Sequence, residues 1–226
     1  MSVSRLARLA GLATAVTLVA TLVGGCGAAR PGVAAEVGDD TITVDQVDEL
    51  AADLCSLQEA VPEDAANRAP ATSGVAARDG AMQALLLRSI ADQMAAEHGV
   101  TADEDFQAQV DQTRLQFGGI DEELIEAGLP AYTAIAYFIN IMRQVGEKTG
   151  DASGDQALVA GIQAAQKWQK DHPIETNPMF GSFKIGNQEI ESERDDVAFP
   201  VSKIAKDAES GSEDYVAALP ESQRCG

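Results

Sequence analysis

Three cysteines, two histidines and one dense acidic run are the side chains of this chain best suited to ligate, cross-link or move protons. The histidines, His98 and His172, are isolated and fall where helices are expected to end, a setting for capping or solvation rather than metal binding. The acids Glu189, Glu191, Glu193, Asp195 and Asp196 crowd together. They lack the glycine and ligand spacing of a calcium loop, so they read as a solvated face. No GxGxxG, GxxxxGKS, GxxxxGKT, GxSxG or HExxH pattern occurs, which removes the usual phosphate cradles, nucleophile elbows and zinc helices. The sequence therefore predicts no catalytic residue, no metal and no cofactor, and the chain reads as a binding protein rather than an enzyme. Met82, Met94 and Met142 could furnish an adaptable peptide groove, but methionine at helical spacing more often fills a core.

The cysteines say more. Cys26 follows Leu22-Val23-Gly24-Gly25, behind Arg5, Arg8 and an uncharged run from Leu9 to Val23. That run is too short for a comfortable bilayer crossing and reads as an export signal over residues 1–25. Its ending resembles the lipobox of bacterial lipoproteins. The resemblance implies cleavage after Gly25, acylation of Cys26 by a fatty acid such as palmitate, and anchoring to the cell membrane on its extracytoplasmic side. An ordinary secretory peptide cut nearby is the alternative. With Cys26 lipidated, Cys55 and Cys225 remain, and an oxidising compartment would favour a disulfide between them over two separate thiols. Closing that loop, from 55 to 225, would stabilise by about 5 kcal/mol in the chain-entropy model.

The chain carries 36 acids against 16 bases, and its formal charge of −20 becomes −22 once Arg5 and Arg8 leave with the signal. Nucleic acid and anionic lipid surfaces would be repelled, whereas basic or unfolded polypeptides remain suitable partners. With 45% hydrophobic but only 4% aromatic residues, the composition points to an alanine-rich helical domain with one substantial core.

Local signals place the elements. Residues 26–32 read as a tether, and Val33–Val37 with Thr41–Thr43 flank Gly38-Asp39-Asp40 as a hairpin. Thr43 and Gln46 form a capping box for a first helix with Val47, Leu50, Ala51, Leu54 and Leu57 on one face, ending near Ala60. Val61 to Gly80, with Pro62, Pro70 and Gly74, reads as a surface loop. A second helix carries Met82, Leu85, Leu86, Ile90 and Met94 and stops at His98-Gly99. Thr101 and Glu104 suggest the cap of a third helix reaching Gln116. Asp121 to Ala127 reads as a short helix closed by Gly128, and Pro130 as the first turn of the next, whose expected stripe is Ile135, Phe138, Ile139, Met142 and Val145. Asp155–Lys170 is helical again and stopped by Pro173. Ile174–Lys184 reads as extended, turning at Asn177-Pro178, with Phe180 and Phe183 offering apolar faces.

The order of these parts resembles a known family. AAEVGDDTITVDQVDEL, residues 34–50, resembles the opening of the SurA-like N-terminal chaperone domain. FGGIDEELIEAGLPAYTAIAYFINIMRQV, residues 117–145, resembles that family's short helix, Gly-Leu turn and long helix. IETNPMFGSFK, residues 174–184, resembles its closing strand, with Met179, Phe180 and Phe183 replacing the more usual Arg, Tyr and Trp. The resemblance implies a mainly α fold of α+β type: a SurA N-terminal-like helical domain over residues 33–184, with a small β-hairpin or sheet built from the N-terminal strands and a late strand. An acidic tail, residues 185–226, would pack back on it. Many relatives add a parvulin-type prolyl isomerase domain. Here it is expected to be absent, because the Val145–Asp155 gap and the strand-poor tail leave no room for it.

The family implies a membrane-anchored extracytoplasmic lipoprotein that holds exported unfolded or extended polypeptides, with no nucleic-acid partner. The alternative is an accessory or structural cell-envelope lipoprotein binding one dedicated protein partner. A solute-binding lipoprotein fits less well, being short of residues for two lobes and of aromatics for a ligand pocket. A contiguous exposed apolar groove would favour the first reading.

Overall fold

A computed structural model describes residues 30–65, 68–150, 152–186, 190–193 and 201–226. The export signal, Cys26 and the lipobox lie outside the described residues, as does the acidic run from Glu189 to Asp196 apart from the backbone of 190–193. The fold is mainly α with small antiparallel sheets.

The chain enters as the hairpin β1 (Val33–Val37) and β2 (Asp40–Thr43), closed by the pair Val37↔Asp40. Gly38 takes φ +55°, and a Cβ there would sit 2.4 Å from Gln93 Oε1. The left-handed turn favours glycine, and any larger residue would also have to push the end of the Gln93 side chain aside. Thr43 and Gln46 make the capping box of α1 (Val44–Ala60). The late strand β4 (Ile174–Thr176) pairs with the other edge of β1, giving the order β2-β1-β4. Asn177 clamps that junction, donating its side-chain amide to Val33 O at 3.1 Å.

Four expectations are corrected. The span 61–80 is not wholly loop: after the two-residue strand β3 (Thr72–Ser73), α2 runs from Gly74 to His98. Ser73 caps it by accepting from Ala76 N at 3.2 Å. That cap, together with buried Ala77 and Ala81, offsets the cost of about 1 kcal/mol that each of Gly74 and Gly80 brings to a helix. Second, α3 (Glu104–Gln116) is capped by Asp103 rather than Thr101. The Asp103 carboxylate accepts from the backbone N–H groups of Asp105 and Phe106 and from side chains of the helix packed beside it.

Third, Gly128 does not end a helix. It is buried within α4 (Glu122–Tyr132), and a Cβ there would lie 2.7 Å from Leu57 Cδ2, so glycine lets α4 settle on α1. Pro130 also sits inside α4, not in the first turn of its successor; the break comes at Thr133, where the axis bends by 49° into α5 (Ala134–Thr149). Fourth, Ile135 is 57% exposed, and the buried face of α5 is Ala134, Phe138, Ile141, Met142 and Val145. At the first turn of α5 it is Ala134, not its neighbour Ile135, that packs inward.

Helix α5 crosses α6 (Asp155–Asp171) at glycines from both sides. A Cβ on Gly146 would come 1.8 Å from Ala157 O, and one on Gly161 would come 1.8 Å from Met142 O. The main core gathers Phe138, Ile141, Met142 and Val145 of α5 with Leu86, Ile90 and Met94 of α2 and Trp168 of α6. A satellite cluster of Leu57, Val61, Phe117 and Ile125 sits where α1 meets α4.

The segment after 184 holds more structure than its weak periodicity suggested. Strand β5 (Ser182–Ile185) crosses the expected boundary and pairs with β6 (Ile190–Glu193). Two short helices, α7 (Lys203–Ser210) and α8 (Glu213–Ala218), are each capped by a serine, Ser202 and Ser212. The chain then returns as β7 (Arg224–Cys225), antiparallel to β3 with the pairs Thr72↔Cys225 and Ser73↔Arg224.

Candidate functional site

Where β7 returns, α1, α2 and α4 leave an open cavity of about 250 Å³. Its apolar lining comes from Leu54 of α1, Ala77 of α2 and Ala131 and Tyr132 of α4, and its polar lining from Gln58 and Thr72. Gly80 lines it too, and a Cβ on Gly80 would meet nothing within 4 Å, so space is left open beside it. Cys225 closes one side. It is bonded to Cys55 on α1, with S–S 2.16 Å and Cα–Cα 4.7 Å.

Each lining group is held by its element. Gln58, only 8% exposed, donates its side-chain amide to Pro70 O at 2.8 Å and Ala69 O at 3.3 Å, fastening the chain that leads into β3 against α1. Tyr132 stands at the α4–α5 bend, its ring 5.0 Å from that of Phe117 and edge-on to it, and it remains 42% exposed. Burial of part of the ring moves its hydroxyl to a pKa above the ordinary phenol value, which keeps it uncharged near neutral pH. No other titratable side chain is among the residues that line this cavity. The arrangement can bury apolar side chains and satisfy a few backbone groups; it has no acid–base pair.

The residues singled out in the sequence fall in several places. Met82, Met94 and Met142 are fully buried in the core, the more usual place for methionine at helical spacing, and none of them lines the groove. His98 ends α2. His172 caps α6 and stacks on Trp168, centroids 4.4 Å apart, with Nδ1 3.0 Å from Trp168 O. Among the described residues no group of three His, Cys, Asp or Glu could hold a metal ion. Phe180 and Phe183 are buried in the main core. The sequence singled out no residue for substrate contact, and neither Tyr132 nor Thr72 carried a local signal beyond its own type. Leu54 did, since it continues the apolar stripe of α1.

A second polar cluster lies away from the groove. Tyr137 donates to Asp92 at 2.6 Å, with the Arg88 guanidinium 5.0 Å from its ring centroid. Burial first, and then the Asp92 carboxylate, push its pKa up to about 12. Around Asp103, Asn140 donates at 2.6 Å and Gln144 at 2.7 Å. Burial alone would raise the Asp103 pKa, but the Asn140 and backbone hydrogen bonds together with Arg143 hold it below the usual value. Both clusters fasten α5 to its neighbours.

No protein-family model, no curated protein and no solved structure matches this chain.

Proposed function

We propose that this chain is a membrane-anchored, extracytoplasmic, chaperone-like lipoprotein that binds unfolded or extended polypeptide and holds it without catalysing a reaction. The observation that carries this reading is the open groove between α1, α2 and α4, lined by Leu54, Ala77, Ala131 and Tyr132. At about 250 Å³ it falls just below the roughly 300–1,000 Å³ usual for small-molecule sites. A groove of that size and opening suits one or two apolar side chains of a passing chain. The surplus of acids supports the same reading, because a negative surface keeps a chaperone soluble and draws in basic segments. The anchor is proposed from Leu22–Cys26, and the family from the stretches 34–50, 117–145 and 174–184.

Three measurements test it. Titrating the mature chain into a client diluted from denaturant should suppress light scattering, with Ala131→Glu suppressing less because it places a charge in the groove. A chain that leaves aggregation untouched would refute the holdase reading. Crosslinking of the anchored protein should capture many exported clients; capture of one partner only would favour the accessory lipoprotein instead. For the anchor, Cys26→Ala should abolish fatty-acid labelling.

A further inference from the structure

Resting on the reading of this chain as a polypeptide binder, we propose that β7 is an intramolecular stand-in for the client. The edge of β3 and the groove beside it form a docking site for one extended polypeptide strand, and the Cys55–Cys225 bond is a thiol-releasable latch that keeps the stand-in in place.

Of the residues lining the groove, Cys225 alone comes from outside the helical module and its entry strand. It arrives on an extended segment paired antiparallel with Thr72 and Ser73, which is how a sheet edge accepts a peptide. Cys225 is 1% exposed, so the position already seats a small apolar side chain, and the open cavity adjoins it. The next residue is seated as closely: Gly226 has φ +98°, and a Cβ there would lie 2.5 Å from Gln58 Nε2. Gln58 in turn fastens Ala69 and Pro70, the approach to β3. One groove thus receives an extended strand with a small side chain pointing in and a glycine at the tight point.

The ladder that holds β7 is two residues long. Pairing of that length opens readily when no covalent bond restrains it. Release requires a dithiol reductant. Its thiolate attacks Sγ of Cys55, which is half-buried where Cys225 is not accessible, and Cys225 leaves as a thiolate. The second thiol of the reductant then displaces Cys55 from the mixed disulfide. Two electrons and two protons pass to the cysteines, and the reductant departs as its own disulfide.

The test uses the full chain, oxidised or treated with dithiothreitol, and a fluorescent peptide copying residues 219–226 with Cys225→Ala. Reduction should tighten peptide binding at least tenfold, and Cys55→Ala in combination with Cys225→Ala should bind like the reduced chain. Hydrogen exchange supplies a second readout: amides of residues 72–73 should exchange at least ten times faster after reduction, and added peptide should restore their protection. Equal affinity in both redox forms would overturn the proposal. So would loss of helical circular dichroism on reduction, since the bond would then hold the fold instead of a latch. A shift to dimers on reduction would overturn it in favour of a second copy of β7 as occupant. Equal suppression of client aggregation by oxidised and reduced chain would refute the latch and leave the holdase reading standing; suppression by neither would refute both.

Discussion

The crossing of α5 and α6 makes a prediction in which one substitution changes sign with its surroundings. In Gly161→Ala the new Cβ would lie 1.8 Å from Met142 O, where ordinary contact begins at 3.4 Å. The obstructing atom is backbone, so no side chain can swing aside, and the helices must part by up to about 1.6 Å, the difference between those distances. A gap of even 0.5–1 Å forfeits about a quarter to a half of the dispersion attraction across it. Here that gap would open along Met142, Val145, Ala157 and Ala165, all fully buried. Overpacking of this kind costs about 1–3 kcal/mol and sometimes more. Because backbone is the obstacle, the upper end applies, less the ~1 kcal/mol that alanine gains over glycine in a helix. Gly161→Ala should therefore lose about 2–3 kcal/mol, a fall in melting temperature of roughly 4–12 °C for a domain of this size. Gly80→Ala is the control: its Cβ meets nothing within 4 Å, so only the propensity gain remains, and stability should rise by about 0.5–1 kcal/mol. Thermal and urea melts of the two variants decide the matter. If both stabilise, or Gly161→Ala is neutral, the close crossing is not what places glycine there.

Three further outcomes are expected. Asp103→Ala should cost about 1–2 kcal/mol at pH 7 through loss of the α3 cap. The Asp103 pKa is held below its ordinary 3.8, so its contribution is full above that value and fades as pH falls through the folded one; urea melts should show the gap to wild type narrowing in acid, and a constant gap down to pH 2 would refute the assignment. The raised pKa of Tyr137, pushed up to about 12, predicts a late phenol ionisation in an ultraviolet titration that Tyr137→Phe should remove. Since that pKa is raised, the stability linked to it is present below the unfolded value of about 10 and is lost as pH climbs toward the folded one. Cys55→Ser should destabilise by about 2–4 kcal/mol, short of the ~5 kcal/mol of the loop model because a freed β7 regains mobility in the native state as well; calorimetry showing no change would mean that the bond does not form.

What the sequence determined by itself is everything written within a few residues of its effect. The Gly38-Asp39 turn, the Thr43–Gln46 capping box, the Gly99 stop with φ +58° and the stripe Met82, Leu86, Ile90 and Met94 are local hydrogen-bond and periodicity signals. They need no distant partner to be read. Tertiary structure decided the rest, because the meaning of those residues depends on what lies opposite them. Gly128 looks like a helix stop in one dimension, and Gly146 and Gly161 carry no local signal there; in three dimensions all are contact points, where Leu57, Ala157 and Met142 crowd them. Ile135 follows the stripe by spacing yet faces solvent, while its neighbour Ala134 takes the buried place at the start of α5. The resemblance implied that a late strand joins the N-terminal strands, but the place of β4 beside β1 and the pairing of β7 with β3 depend on partners far away in the chain. The groove is the extreme case: its walls come from five separate elements, so it exists only once α1, α2 and α4 have packed and the strand bearing Cys225 has come home to Cys55.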